Sequence, residues 1–325
     1  MPESEKNLIE RIRRQARSGA GWTAPARLVV GIGDDAAVLR LRPNHDLLVT
    51  TDFSIENVHF RQEWHSPEVV GWRCLTRGLS DIAAMGGEPV AAFLSLAVAA
   101  DTPQGWIDRF IKGLLGLAKK FRVPLAGGDT ANAVDGIQAD IVVVGAVPKG
   151  TAILRSGAKP GDQIYVTGNL GGAAAALSRL RDSHPLGAES TRYLHPLPRV
   201  AAGHWLRDHK IPSAMIDISD GLSTDLDHIC HESGVGAEIE AGLIPRSPCG
   251  RGKKQEVTLD FALHGGDDYE LLFTSSKPVP PKIEGVRITR IGQTLRKGMQ
   301  LIGTDGKRMA LQPQGWEHFR GNHQG

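Results

Sequence analysis

The sequence predicts an α/β protein of mixed, α+β character, built as two α/β domains. Three observations carry this. Short β-like runs alternate with helical ones along the chain. The length of 325 residues suits two domains of ordinary size, and the 41% of apolar residues fall in patterned blocks. A Pro148–Gly150 break follows a strongly apolar strand. The predicted domains are therefore residues 1–148 and 149–325.

In order, Leu8, Ile9 and Ile12 suggest a short amphipathic helix within a charged N-terminal stretch that lacks the apolar middle of a signal peptide. Leu28–Gly31, Leu47–Thr51, Val90–Ala99 and Ile141–Val147 read as strands. Pro67–Met85 reads as a helix: Ser66 can cap it, Pro67 suits its first position and Gly86 can end it. Its apolar stripe is Leu75, Leu79 and Ile82, with Asp81 at the edge. A second helix is predicted from Pro103 to Phe121. Beyond the break, Gln163–Thr167, Ala214–Ile218, Tyr269–Thr274 and Val286–Ile291 read as strands. Ala173–Leu180 and Leu222–His231 read as helices, and His184–Pro198, with its prolines, as a loop.

Charge excludes some partners. Lys plus Arg is 38 and Asp plus Glu is 36, a net +2, so there is no electrostatic footprint for nucleic acid or an anionic membrane. No apolar run approaches the ~18 residues of a membrane span. Cys74, Cys230 and Cys249 are odd in number and far apart, which fits reduced thiols in a cytoplasmic protein better than a disulfide or zinc framework.

The chemistry concentrates in five acidic segments, read as turns: Gly31-Ile32-Gly33-Asp34-Asp35, Thr50-Thr51-Asp52, Gly127-Gly128-Asp129-Thr130, Asp217-Ile218-Ser219-Asp220-Gly221 and Gly265-Gly266-Asp267-Asp268. One such turn is ordinary; five, with Asp81, would gather six or more carboxylates if they converge. Carboxylates in contact repel unless a hard divalent cation stands between them, and Mg²⁺ is the ion that bridges carboxylates to phosphates. The pattern thus points to magnesium and a polyphosphate substrate. Asp217 and Ser219, two apart in an extended chain, would share a side. Gly168-Asn169-Leu170-Gly171-Gly172 reads either as a phosphate cradle or as a tight strand-to-helix turn, and Arg155 either as a phosphate fork or as a solvated loop residue. His59 reads either as structural or as a ligand. No nucleophile elbow or Ser/His/Asp order is present.

These segments, with Asn57-Val58-His59-Phe60, Leu79–Gly86, Arg155–Asp162 and Gly265–Leu271, closely resemble the thiamine-monophosphate kinase family, within the superfamily of aminoimidazole ribonucleotide synthetase. The resemblance runs from Gly31 to Phe319. It implies N-terminal domains that bind ATP and magnesium and pair into a homodimer, and C-terminal domains that complete the nucleotide and substrate site. Magnesium ligands would be Asp35, Thr50, Thr51, Asp52, Asp81, Asp129, Asp217 and Asp220. Gly128, Asp129, Arg155 and Ser219 would serve ATP, and His59, Asp267 and Trp316 the thiamine monophosphate. The implied activity is ATP-dependent conversion of thiamine monophosphate to thiamine diphosphate by direct in-line transfer, with no protein residue as nucleophile. Two positions depart from the family's pattern: Asp267 stands where Glu is usual, and Phe121 where Tyr is frequent. The rival readings are a sibling enzyme of the superfamily and a non-catalytic magnesium-nucleotide module. Among the siblings, selenophosphate synthetase would need a reactive cysteine near the N-terminus, where the first here is Cys74, and the hydrogenase-maturation relative ends in a cysteine, where this sequence ends Gly321–Gly325.

Overall fold

The protein is described by a computed structural model covering residues 5–17, 26–32, 35–187, 189–250 and 255–318. Gly33, Asp34 and Phe319, which take part in the motifs above, lie outside the described residues. The chain divides into two compact units, one running to Ile82 and resuming over Gly87–Ala152, the other formed by Ala83–Gly86 and the residues from Ile153 onward.

The first unit has helix α1 (Glu5–Arg17), hairpin strands β1 (Ala26–Val30) and β2 (Val38–Leu41), strand β3 (His45–Ile55), helix α2 (Pro67–Ala84), strand β4 (Glu88–Ala99), helix α3 (Gln104–Phe121) and strands β5 (Leu125–Ala133) and β6 (Ile137–Pro148). Its four-stranded sheet runs β3-β6-β4-β5, antiparallel except for the parallel β4–β5 pair. The stripe read on α2 is buried: Leu75 and Leu79 are 0% exposed and Ile82 1%. Each such burial stabilises by about 1.5–3 kcal/mol. Helix α3 meets α2 backbone to backbone. A Cβ on Gly113 would stand 1.9 Å from the Glu68 carbonyl oxygen, so only glycine fits that crossing.

β3 alternates strictly. Leu48, Thr50, Asp52 and Ser54 face inward, and Leu47, Val49, Thr51 and Phe53 face outward and are exposed. The β1–β2 hairpin covers part of the sheet, with Leu28, Leu39 and Leu41 packed against Val90, Ala91, Ala126 and Val144.

The second unit adds, in chain order, β7 (Gln163–Thr167), α4 (Gly172–Arg181), α5 (Ser190–Leu194), α6 (Val200–Asp208), β8 (Ala214–Ile218), α7 (Leu222–Ser233), β9 (Gly236–Glu240), α8 (Leu259–His264), β10 (Glu270–Ser275), β11 (Lys282–Ile283), β12 (Val286–Leu295), β13 (Met299–Ile302) and β14 (Arg308–Ala310). Its sheet runs β14-β13-β9-β12-β7-β10-β8, with β11 beside β12, and only β13–β9 is parallel. β10 is buried along its whole length and divides two cores: Leu272 joins Ile164, Ile216, Leu226 and Ile291, while Leu271 and Phe273 join Leu206 and Met215.

Three expectations change. Two of the five acidic turns are strand interiors: Thr50-Thr51-Asp52 lies in mid β3, and Gly127-Gly128-Asp129-Thr130 in β5. Pairing with β6 and β4 overrides the local turn chemistry. Residues 184–198 hold helix α5 rather than loop throughout. The sheets are largely antiparallel, so the rule placing ligands at the carboxyl ends of strands in open α/β sheets does not by itself locate the site. No described helix is long and apolar enough to cross a membrane.

Candidate active site

In the first unit the predicted ligands form two groups. Thr50 and Asp52 share the inward face of β3, and the Thr50 hydroxyl donates to Asp81 Oδ2 on α2. Thr51 is on the opposite face, where its hydroxyl donates to Asp140 Oδ1 at 2.6 Å. Its side chain is thus apart from Thr50 and Asp52, because strand alternation separates neighbours. The second group lines a cavity of about 510 Å³: Asp35, exposed after Ile32, and Asp129, with Gly127 and Gly128 between β5 and the hairpin loop. Asp129 Oδ1 accepts the Thr130 N–H at 2.9 Å. Gly128 has φ 149°, and a Cβ there would stand 1.8 Å from the Leu94 carbonyl oxygen. Only glycine lets β5 run this close to β4 beside Asp129. His59 closes the tight turn after β3, with Nδ1 accepting the Ile55 N–H at 3.0 Å, which leaves the ring proton on Nε2.

In the second unit the end of β8 is the focus. Asp217 is buried in the strand, 3% exposed, and Ser219 and Asp220 stand past its end in a bend. Ser219 has left the strand, so the shared side expected for it and Asp217 is not set by strand alternation. Asp225, in the first turn of α7, gathers the N–H groups of Ser219, Asp220 and Gly221 on one oxygen at 3.1, 3.2 and 3.0 Å. The helix start that could have received an external anion is thereby filled from within. Burial, then the charges of Asp220 and Asp217, push the Asp225 carboxyl well above the usual range. Burial also raises Asp220, with Asp267 adding to the effect and His228 and Arg155 opposing it. Three aspartates thus crowd one corner, and the repulsion among them is the condition a divalent cation relieves. Among the described residues, no three or more acidic, histidine or cysteine side chains are placed so that they could together hold a metal ion.

Two further features meet this corner. Asp267 hangs from it, its N–H donating to the Ser219 carbonyl at 2.8 Å. The C-terminal segment is laced onto it: Gly315 N–H donates to Thr224 Oγ1 at 2.9 Å and Trp316 N–H to the Asp220 carbonyl at 2.9 Å. Trp316 itself is 38% exposed, with His318 edge-on to it at 5.4 Å. Arg155 is exposed on the same unit, its carbonyl taken by Ser233.

The glycine turn before α4 is not an open cradle. Asp268, 6% exposed, accepts the Gly171 N–H at 2.6 Å and lies 3.5 Å from the Ala173 nitrogen. Burial pushes its carboxyl up to about 7 against those hydrogen bonds. The tight-turn reading holds there. Sequence reasoning gave no role to Asp225 or Glu270, and took Asp268 only as one carboxylate of an acidic segment. An acidic residue in the first turn of a predicted helix was the available signal for Asp225; Asp268 and Glu270 depend on partners about a hundred residues away or more than seventy.

The comparisons follow this layout. Residues 33–147 match the N-terminal domain, and 159–278 the C-terminal domain, of the AIR synthase related proteins. The thiamine-monophosphate kinase of Bacillus subtilis is 35% identical over 306 residues, covering 90% of this chain and 94% of that protein. That of Escherichia coli K12 is 37% identical, covering 89% and 92%. The chain belongs to the thiamine-monophosphate kinase family. Among solved structures, the family member from Stenotrophomonas maltophilia K279a superposes with a TM-score of 0.77 at 34% identity, covering 94% of this chain and 98% of that one. AaThiL complexed with AMPPCP and TMP gives 0.76 at 29% identity, covering 97% of each. Hydrogenase maturation protein HypE in complex with ATP, at 16% identity and a TM-score of 0.76, shares the fold.

Proposed function

We propose that the protein transfers the γ-phosphoryl group of ATP directly to thiamine monophosphate, giving thiamine diphosphate, with magnesium required. The observation that carries the reading is the corner at the end of β8, where crowded aspartates and a tethered, half-exposed tryptophan share one bend. The donor set, all carboxylate and hydroxyl oxygen, fits magnesium. Taken unit by unit, Asp35, Asp129, Thr50, Asp52 and Asp81 would hold magnesium ions of the first by side chain and Thr51 through its backbone, and Asp217 and Asp220 would be the ligands that the second unit offers. When bound, magnesium supplies charge neutralisation for the phosphates of both reactants. Gly128 keeps the backbone beside Asp129 free of a side chain, and Arg155 and Ser219 serve the nucleotide. His59, Asp267 and Trp316 serve the thiamine monophosphate.

The acceptor phosphate is largely ionised at neutral pH, its second pKa being about 6. No general base is needed to free its attacking oxygen. A thiolate route is disfavoured, because Cys74 is fully buried and burial pushes its thiol up to about 12. Thiols that stay protonated suit a cytoplasmic enzyme as structural residues. The outward face of β3 supports a homodimer: Leu47, Val49 and Phe53 are 48%, 62% and 59% exposed on a long edge strand, a surface that a second copy would cover.

The test is ATP turnover with and without thiamine monophosphate, using ATP chiral at the γ-phosphorus. Acceptor-dependent turnover with inverted configuration is expected. Retention, or enzyme labelled in the absence of acceptor, would sink the direct transfer; turnover indifferent to the acceptor would sink the substrate assignment.

Trp316→Ala is expected to raise KM for thiamine monophosphate roughly tenfold while KM for ATP barely moves, since ring burial is worth about 1–3 kcal/mol. Because the indole is 38% exposed, it fills no core, and the melting temperature should stay near wild type. Equal effects on both substrates with a lowered melting temperature would make it a mere anchor of the C-terminal segment.

A further inference from the structure

The segment between α8 and β10 carries two residues in an uncommon backbone state. Asp267 has φ 66° and Tyr269 φ 51°, both in the left-handed region that side chains other than glycine, asparagine and aspartate avoid. For a bulky tyrosine this conformation persists only when its surroundings hold it there. Here they do. Asp267 N–H donates to the Ser219 carbonyl at 2.8 Å, and Tyr269 N–H to the Ile218 carbonyl at 2.9 Å. Between them the Asp268 carboxylate accepts the Gly171 N–H at 2.6 Å. The segment is thus tied to the end of β8 on one side and to the start of α4 on the other.

The result is a particular side-chain meeting. The Tyr269 residue is 1% exposed, so its ring is held in one place, and its phenol O–H donates to Asp267 Oδ1 at 2.6 Å. A hydroxyl on a fixed ring is a rigid post for a carboxylate two residues away. Asp267 is one methylene shorter than glutamate, so it has less reach and fewer rotamers with which to find a ligand unaided. A carboxylate repels the substrate's phosphate, so the part of thiamine monophosphate it suits is the positively charged heterocycle.

We infer that Tyr269 is a positioning residue for the phosphoryl acceptor: its buried hydroxyl orients the Asp267 carboxylate toward the cationic heterocycle. This rests on the function proposed above. Tyr269→Phe keeps the ring and deletes only the hydroxyl. In the full-length protein, calorimetric Kd and steady-state KM for thiamine monophosphate are expected to rise roughly tenfold, the scale of a charge-assisted hydrogen bond. The KM for ATP should stay within about twofold. In an Asp267→Asn background the same substitution should add almost nothing, since the hydroxyl acts through that carboxylate. Unchanged acceptor binding in Tyr269→Phe overturns the inference. So does an equal loss in both backgrounds, or a lowered melting temperature with both substrates weakened alike. A wild-type protein that neither binds nor phosphorylates thiamine monophosphate would overturn the functional reading and this inference with it. That result is distinct from the inference failing alone, where wild type and variant bind equally well.

Discussion

Asp81→Asn is expected to lower acceptor-dependent ATP turnover by about a hundredfold or more, with partial recovery as magnesium is raised, since even residues one shell out from a metal are worth about 10–100-fold. Asp81 sits near the end of α2, half-buried, and receives the Thr50 hydroxyl from the inward face of β3. Asparagine has the same shape, and its amide oxygen still accepts that hydroxyl, so the helix and the pair survive. What disappears is the negative charge. If the carboxylate's role is to hold a cation, the loss should appear as a rightward shift of the magnesium titration, with a melting temperature close to wild type. Turnover near wild type at low magnesium would remove Asp81 from the ligand set. A loss that no magnesium concentration relieves, accompanied by a lower melting temperature, would make the Thr50–Asp81 pair structural.

That pair also shows what the sequence could reveal. Asp81 stood at the edge of a 3.6-period stripe, so helix and face were both legible, and the spacing of Thr50 and Asp52 placed them on one face once β3 was a strand. Leu47–Thr51 was legible as a strand, but the acidic residues hid its continuation past Thr51 and all of β5: Thr-Thr-Asp and Gly-Gly-Asp-Thr have turn composition, yet β3 pairs with β6 over Asp52↔Ile141 and β5 pairs with β4 over Gly128↔Leu94. Local composition cannot report such partners. Gln163–Thr167 and Ala214–Ile218 needed no such help, because each is a short apolar run bounded by polar or glycine residues, and both strands have those limits. α5 was masked by the prolines around it, and Val200–Asp208 carried no start or stop signal strong enough to be read as α6. In the site, the carboxylates were legible as residue types. Their division of labour was not: Asp225 and Asp268 spend their carboxylates on backbone N–H groups, which their residue type does not announce. Only the fold separates a carboxylate that closes a turn from one turned to a ligand.

Glu270→Gln is expected to cost the second unit about 3–5 kcal/mol, the range seen when one member of a buried ion pair is removed. Glu270 opens β10 with its side chain 0% exposed, and three side chains donate hydrogen bonds to it. Thr167 Oγ1 donates at 2.6 Å, Arg192 Nη1 at 2.7 Å, and Arg199 at 2.6 Å through Nε and 2.5 Å through Nη2. The two guanidiniums reach it from α5 and from the residue before α6, so one carboxylate holds the 190–200 region to the sheet. Gly168 leaves the room: a Cβ there would stand 2.1 Å from Glu270 Oε1. Glutamine keeps the volume but turns an N–H₂ group toward these donors and leaves Arg199, whose side chain is only 18% exposed, without its counter-charge. Thermal unfolding should therefore show the transition of this unit lowered by roughly 6–20 °C. The comparison that isolates the cause is the triple variant Glu270→Leu, Arg192→Met, Arg199→Met. It removes all three charges together, so no ion is left stranded, and it should unfold at a higher temperature than Glu270→Gln alone. If the triple variant is the less stable of the two, the network stabilises through its own attraction, and the stranding of arginine is not the source of the loss.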